Sequence, residues 1–262
     1  MQSVNARLGI VQNQISTGLK VSSAIDDASS FSIAQGLRGQ IKAYQAVSQA
    51  IATGRGIATV ALAGANAISD LLGDIQGKIT QGENAGNSTA QQSILNADFA
   101  NLIAQVNTFI ANATYNGANL LSAASISVNV IANVDGSTLV LRSNSSFSLQ
   151  SVLLGNQNIS STYQAAQALS ALLLAQTAIA NVLGNLGADT KTINFQDSFI
   201  SQLSDATNIG LGSIVDADLA RASSQLQALQ VQQQLSIQTL NIANANPRAL
   251  VSLFGIGAAA AP

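Results

Sequence analysis

Few residue types in this sequence could carry chemistry. Histidine, cysteine and tryptophan are absent, which excludes Ser-His-Asp triads, cysteine nucleophiles, haem ligation by histidine, zinc fingers and disulfides. Glu83 is the single glutamate, so a glycosidase pair built from two glutamates is excluded, although a pair of aspartates is not. Any enzymatic chemistry would therefore depend on the aspartates.

Four of the aspartates lie where a turn or the start of a helix is expected. Asp26 and Asp27 are the only adjacent acidic pair, and Asp216 and Asp218 come just before an apolar helical pattern. Carboxylates at such places cap free N–H groups and suit the helix dipole. A metal site would need further oxygen ligands, and the sequence around Asp26 offers mainly serine. We therefore predict no catalytic, cofactor-binding or metal-binding residues, and no enzyme.

The composition favours long helices that meet other protein. Of 262 residues only 8% are charged, against about 25% in a typical soluble domain. The formal net charge of −2 provides no attraction for nucleic acid. Hydrophobic residues reach 47% and aromatic residues only 4%, which indicates thin helices packed by small side chains. No run of about 18 uninterrupted apolar residues occurs, so we expect no membrane insertion.

Four stretches place apolar residues at heptad spacing, which predicts one narrow apolar seam on each of four helices. The first seam is Val4, Leu8, Val11 and Ile15. The second is Leu95, Phe99, Leu102, Val106, Phe109 and Ala113. The third is Ala165, Ala168, Leu172, Ala175, Ile179, Val182 and Leu186, resuming at Ile193, Ile200 and Leu203. The last contains Leu219, Ala222, Leu226, Leu229, Leu240 and Ala243.

A looser helical pattern covers residues 41–79. Its larger apolar members are Tyr44, Val47, Ile51, Ile57, Val60, Ile68, Leu71 and Ile75. Four glycines interrupt it, at positions 54, 56, 64 and 73. Each costs about 1 kcal/mol relative to alanine in a helix, and each also allows another element to approach closely.

The period changes to two between about residues 122 and 155. Ile126, Val128 and Val130 alternate with polar residues, and Asp135-Gly136 precedes the apolar run 138–141. Asp-Gly between such runs predicts a β-hairpin with a type I′ turn, which needs two positive φ angles. Residues 146–149 are a candidate for a third short strand.

The predicted fold is therefore mainly α, with long helices forming a coiled-coil bundle and a small β-hairpin inserted in the middle of the chain. An ordinary antiparallel bundle is one interpretation. The other is that the seams at the two ends, which are too small to bury themselves, bind other copies of the chain.

Four segments, in order along the chain, closely resemble the bacterial flagellins, in the short, low-charge form of α-proteobacteria. Residues 15–21 and 23–28, ISTGLKV and SAIDDA, resemble the N-terminal signature of that family. Residues 113–121, ATYNGANLL, resemble its motif at the end of the second long helix. The end of the chain resembles the C-terminal helix of the family, through VDADLA at 215–220, LQALQVQQQL at 226–235, IAN at 242–244 and LVSLF at 250–254.

The resemblance implies a structural subunit of the flagellar filament, secreted through the flagellar export apparatus without a cleaved signal peptide. Its partners would be other subunits, an export chaperone, and hook-associated and cap proteins. Its terminal helices would pair as an inner coiled coil, so the expected assembly interface is Val4, Leu8, Val11, Ile15, Leu219, Leu226, Leu229 and Leu240. The expected segments are the inner coiled coil at 1–27 and 214–262, the bundle at 28–121 and 164–213, and an outward β-rich segment at 122–163.

The sequence departs from the family pattern in three places. The family usually has roughly 16 further residues before the position of Gln2, so the first segment is expected to be shortened. Residues 255–262 extend past the usual end. The family motif read by the innate flagellin receptor has an arginine where this chain has Gly77.

Two other functions remain open at this stage. A hook–filament junction protein would share the terminal helices. A flagellin-like surface protein could bind polysaccharide through its outer segment, although that segment offers few aromatic residues beyond Phe147 and Tyr163.

Overall fold

The computed structural model describes residues 2–144 and 154–254, with side chains described through residue 243. Five helices carry the fold: α1 (Gln2–Thr17), α2 (Ala28–Gly82), α3 (Thr89–Asn112), α4 (Thr162–Val215) and α5 (Leu219–Phe254). Two antiparallel hairpins lie between α3 and α4, formed by β1 (Thr114–Tyr115) with β2 (Ala118–Asn119) and by β3 (Val128–Ile131) with β4 (Thr138–Leu141). The predicted helical fold with a small β insert is confirmed.

The described chain forms two compact units. The first comprises residues 1–41 and 205–262, and the second comprises residues 42–204. The finer division into five segments predicted from the sequence stays a prediction.

Helix α2 buries an apolar seam in the second unit that is more regular than the sequence suggested. The buried positions alternate in steps of four and three along the helix: Val47, Ile51, Gly54, Ala58, Ala61, Ala65, Ile68, Leu72, Ile75, Ile79 and Gly82. Tyr44, Val60 and Leu71, which the sequence pattern included, are only half-buried. Glycine or alanine fills five of the eleven positions, so a pattern built on large apolar residues included some positions that lie off this line.

The seams predicted on α3 and α4 are confirmed. On α4 every predicted position from Ala165 to Ile200 is at most 4% exposed, and Leu203 packs against the same core. On α3 the buried positions are Phe99 and Val106, and Gln92 continues the line by one further step. The Gln92 side chain donates to the carbonyls of Gly82 and Ile159 and accepts from Asn87, so this buried amide is satisfied.

Three of the α2 glycines provide room for neighbouring elements. A Cβ added at Gly54 would lie 2.6 Å from Val130, and one added at Gly56 would lie 2.6 Å from the Tyr115 ring. A Cβ added at Gly64 would lie 2.9 Å from Ala113. The predicted close approach is therefore confirmed at these three positions. Gly73 has no atom within 4 Å of an added Cβ, so it has no such role.

The predicted hairpin exists, but its predicted turn type is wrong. Strands β3 and β4 pair from Val128 with Leu141 to Ile131 with Thr138. Gly136 has φ +85°, whereas Asp135 is not among the described non-glycine residues with positive φ. The loop that joins β3 to β4 is long enough to reverse the chain with one left-handed residue. The Asp-Gly pair therefore does not form a type I′ turn. The candidate strand at 146–149 lies outside the described residues.

The two consecutive left-handed residues occur instead in the shorter hairpin. Asn116 has φ +49° and Gly117 has φ +80°, and they join β1 to β2. Asn-Gly is a strong signal for a type I′ turn. In the sequence this dipeptide stands out only as part of the family resemblance, and its hairpin was not predicted.

Helices α2 and α4 each contain an 18-residue window that is apolar enough to cross a membrane by length and composition. A third of each window is buried inside the protein. Core helices of soluble proteins pass the same test, so this is weak evidence, and the expectation of no membrane insertion stays a prediction.

Candidate assembly surface

Aspartates organise the backbone before α2 and before α5 in the first unit. Asp26 accepts the Ser22 hydroxyl at 2.8 Å and the N–H groups of Ser23 and Ser22 at 2.9 and 3.0 Å. These hydrogen bonds, with the Ser22 hydroxyl first, hold the pKa of Asp26 below its usual value. Asp27 caps α2 by accepting the N–H groups of Ser29 and Ser30. The prediction that this pair forms a turn or starts a helix is confirmed, because Asp26 organises the turn and Asp27 caps the helix.

The start of α5 is capped in the same way. The Asp218 carboxylate accepts the Arg221 N–H at 3.0 Å, and Asp216 pairs with Leu19 in an isolated antiparallel bridge. The Lys20 N–H donates to the Val215 carbonyl at 2.6 Å. Among the described residues, no group of three acidic side chains gathers where it could hold a metal ion.

Helices α1 and α5 pack against each other in antiparallel directions. The bridge at Leu19 fixes one end, and Gln233 donates to Asn5 at 2.9 Å farther along the pair. The contact is thin, because Val11 of α1 and Ala222 of α5 are the only buried side chains among those described on the two helices.

The predicted interface residues lie along this pair with different degrees of burial. Val11 is buried, whereas Leu219 and Leu240 are 49% and 46% exposed. The others are half-buried: Val4, Leu8, Ile15, Leu226 and Leu229. The structure therefore places the two terminal seams side by side, as the sequence predicted. Their role in assembly stays a prediction.

A second set of apolar residues on the α1–α5 pair remains exposed and was not predicted from the sequence. These are Ile10, Val231, Leu235, Ile237 and Ile242, exposed by 44 to 67%. A second apolar line at 231, 235 and 242 was present in the sequence, but the heptad pattern assigned one line to each helix.

An open groove follows the α1–α5 pair. One part, of 370 Å³, is lined by Arg7, Ile10 and Gln14 of α1 and by Gln225, Ala228 and Gln232 of α5, among others. The next part, of 450 Å³, runs from Gln232 to Ala243 beside Val4. Glutamine and small apolar side chains offer no reactive group here. The groove and the exposed apolar residues together fit protein contact better than a small ligand.

Comparison with known proteins decides the family. Residues 1–126 match the model for the bacterial flagellin N-terminal helical region, and residues 169–254 match the model for the C-terminal helical region. A flagellin of Brucella melitensis is 34% identical over 97% of this chain and 94% of the relative. The chain belongs to the flagellin family. Flagellin FljO of Caulobacter vibrioides is 33% identical over 97% of this chain and 93% of the relative.

A solved structure of a Bacillus cereus flagellin is similar to this chain at 15% sequence identity. The match covers 69% of this chain and 93% of the Bacillus chain. Its TM-score of 0.36 is too low to support an inference about the fold. Membership of the flagellin family makes this chain a structural protein of the flagellar filament and not an enzyme.

Proposed function

We propose that this flagellin polymerises by burying the exposed apolar residues of α1 and α5 against the same helices of neighbouring copies. The carrying observation is a set of large apolar side chains on the α1–α5 pair that are at least 44% exposed, namely Ile10, Leu219, Val231, Leu235, Ile237, Leu240 and Ile242. A monomer rarely leaves so many large apolar side chains exposed on one pair of helices without a partner.

Burial of apolar surface favours association between copies over the α1–α5 pairing of a single copy alone. Fully burying a leucine or isoleucine contributes about 1.5–3 kcal/mol, so several such residues offset the cost of association. Charge does not oppose the contact, because the described residues 219–243 of α5 carry one charged side chain, Arg221. Because each copy repeats the contact, modest energies at one subunit add along the filament.

Secretion and partners follow from the proposed role. We infer that the chain is secreted to the cell surface through the flagellar export apparatus, without cleavage of a signal peptide. An export chaperone, hook-associated proteins and a cap protein would act on the same terminal helices before and during assembly.

A truncation tests the proposal. A chain that ends at Ser213 loses α5 and keeps all of the second unit, whose core lies within residues 42–204. We expect a folded, soluble monomer that never forms filaments under conditions in which the full chain does, as judged by negative-stain microscopy and sedimentation. Filaments from the truncated chain would refute the proposal.

A pair of point variants tests the surface without removing a helix. Leu235→Asn with Ile242→Asn changes two residues that are 56% and 67% exposed, so the monomer should fold normally. We expect filament formation to require a much higher protein concentration. Ile126→Asn, at a loop residue that is 79% exposed in the second unit, is the matched control and should assemble like the wild type.

A further inference from the structure

We propose that an outward face of α4 binds an outward face of α2 in a second copy of the chain. The α4 face consists of Lys191, Phe195 and Phe199, and the α2 face consists of Ala63, Asn66, Asp70 and Asp74. The inference rests on the proposed polymerisation and adds a second contact between subunits, formed by the unit of residues 42–204.

Charge is the first reason to pair these two faces. The described ion pairs are Arg55–Asp197, Lys78–Asp98 and Arg142–Asp189, all in this unit. The exposed residues Lys191, Asp70 and Asp74 belong to none of the three. Only 8% of the chain is charged, so a lysine on one helix and two aspartates on another, all outside these ion pairs, form a complementary pair of surfaces.

Side-chain size is the second reason. Phe195 and Phe199 follow Lys191 at one and two helical turns and are 70% and 49% exposed. On α2 the exposed residues one and two turns before Asp70 are Asn66 and Ala63. Both are much smaller than phenylalanine, and large side chains on one face interdigitate with small ones on the facing helix, as in a well-packed core.

The rest of the α2 face is equally shallow. From position 59 to position 73 its exposed residues are threonine, alanine, asparagine, aspartate and glycine. None has a side chain larger than that of aspartate or asparagine, so the exposed side chains of this face leave room for the two phenylalanine rings. The Asn66 amide can also donate an N–H group to the face of an aromatic ring, a weak but recurrent contact.

The helix directions allow the charge match and the match in side-chain size to occur in the same register. Within the unit α2 and α4 run antiparallel, since Gln76 bonds to Gln176 at 3.0 Å and Arg55 pairs with Asp197. Copies that share one orientation therefore also present α4 antiparallel to a neighbour's α2. Placing position 191 opposite position 70 then puts position 195 opposite 66, and position 199 beside 63.

The same register requires the neighbour to be shifted along the helix. The α2 positions that face α4 differ by roughly nine residues between the proposed contact and the inside of one copy. This shift is about 14 Å at about 1.5 Å per residue. Two different surfaces that meet with a shift make a heterologous contact, which extends into an open polymer instead of closing as a dimer.

Charge-reversed variants test the contact. Lys191→Glu places a glutamate opposite Asp70, and Asp70→Lys places a lysine opposite Lys191, so each variant alone should polymerise poorly. We expect a rise of up to about tenfold in the critical concentration, because an exposed charge pair is weak but its reversal replaces attraction with repulsion. The defect should shrink at about 1 M salt, where charges are screened within a few ångströms.

Mixing the two variants is the decisive measurement. The glutamate at position 191 of the first variant then faces the lysine at position 70 of the second. The unchanged Lys191 of the second variant likewise faces the unchanged Asp70 of the first. An equimolar mixture should therefore assemble near the wild-type concentration.

Two controls accompany the mixture. Lys42→Glu reverses another exposed lysine of this unit that belongs to none of the three ion pairs, and it should assemble like the wild type. Phe195→Ser should weaken assembly, because it removes the more exposed of the two phenylalanine rings from the contact. Leu174→Ser, at an α4 residue that is 58% exposed but outside the register, should not.

The outcomes separate this contact from the proposed function. If the wild type forms no filaments, the proposed polymerisation fails. If the wild type polymerises and both charge reversals match it, or if the mixture is no better than either variant alone, the α2–α4 contact is wrong while the polymerisation stands. Matching far-ultraviolet circular dichroism of the monomers establishes that each variant is folded.

Discussion

Val130 of β3 lies directly over Gly54 of α2, so close that a Cβ at position 54 would come within 2.6 Å of a Val130 methyl carbon. Val130 is 5% exposed and short, and it is held in a paired strand. The longer hairpin is therefore attached to the bundle at a glycine in the buried seam of α2.

Gly54→Ala should destabilise the protein for this reason. Overpacking of a well-ordered core costs about 1–3 kcal/mol, and the valine has no room to withdraw. We expect a lower midpoint of thermal unfolding for the monomer. Gly73→Ala is the control on the same helix, where an added Cβ meets no atom within 4 Å and the alanine favours the helix by up to about 1 kcal/mol. Equal melting temperatures for the two variants would contradict the packing argument.

Gly56→Ala should be milder than Gly54→Ala although the nearest atom is equally close. The Cβ at position 56 would meet the ring of Tyr115, and that side chain is 41% exposed. The ring can swing towards solvent, whereas Val130 cannot. The same thermal unfolding measurement ranks the two variants, and the reverse order would show that the β1–β2 hairpin is held more tightly than the burial of Tyr115 indicates.

The buried carboxylate of Asp189 should be needed for stability. It occupies a seam position of α4, is 6% exposed, and accepts the Arg142 backbone N–H at 3.0 Å and the Arg142 guanidinium at 2.7 Å. Asp189→Ala removes the acceptor for both groups, and we expect a loss of about 1–3 kcal/mol in the free energy of unfolding. Asp98→Ala breaks a half-exposed pair with Lys78 and should cost at most about 1 kcal/mol. Urea denaturation of both variants compares them.

The helices and the seams of α3 and α4 could be predicted because large apolar residues mark each line. The α4 seam could be read directly, since branched residues such as Ile179, Ile193 and Ile200 fall on it. The α2 seam could not, because alanines and a glycine occupy positions 54, 58, 61 and 65. Small residues are equally common on the outside of that helix, so burial there depends on which neighbour packs against them.

The candidate surface was predicted only in part, for a related physical reason. Heptad counting finds the line that faces the partner helix, which is why Val11 was found. It does not find the second line at Leu235 and Ile242, because only one line was assigned to each helix. The exposure of those residues in the folded chain is what identifies the second line.

Acid should loosen the turn that precedes α2. The hydrogen bonds from Ser22 and Ser23 lower the pKa of Asp26, and those from Ser30 and Ser29 lower the pKa of Asp27, from the usual value of 3.8. A lowered pKa in the folded state means that the charged carboxylate stabilises the fold above the unfolded value. That contribution disappears as the pH falls through the lowered pKa.

Amide hydrogen exchange measures this effect locally. The amides of Ser22, Ser23, Ser29 and Ser30 should be protected at neutral pH and lose protection at a pH below about 3.8, after correction for intrinsic exchange rates. In Asp26→Asn the protection of Ser22 and Ser23 should be lower at neutral pH and should not depend on acid. Unchanged protection in that variant would mean that Asp26 does not organise the turn.

Limited digestion with trypsin should attack the first unit before the second. In the monomer α1 and α5 bury only Val11 and Ala222 among their described side chains, and ordering a residue costs roughly 1–2 kcal/mol in backbone entropy. Such helices fray, and frayed segments are where proteases cut. The early sites should be Arg7, Lys20, Arg221 and Arg248, and the late sites Lys42, Arg55, Lys78 and Lys191.

Polymerisation should reverse that order, because neighbouring copies would cover the α1–α5 pair. The described positions support the contrast: Arg7, Lys20 and Arg221 are exposed, whereas Arg55 and Lys78 are held in ion pairs on the buried bundle. Lys42 and Lys191 are exposed as well, so their resistance depends on the stability of the bundle and not on access to the side chain. Mass spectrometry of the first fragments, from monomer and from sedimented filaments, distinguishes the cases. Early cleavage at Lys42 or Lys191 with the ends intact would show that the stable part of the monomer is the α1–α5 pair, and that the apolar residues of α5 need no partner from another copy.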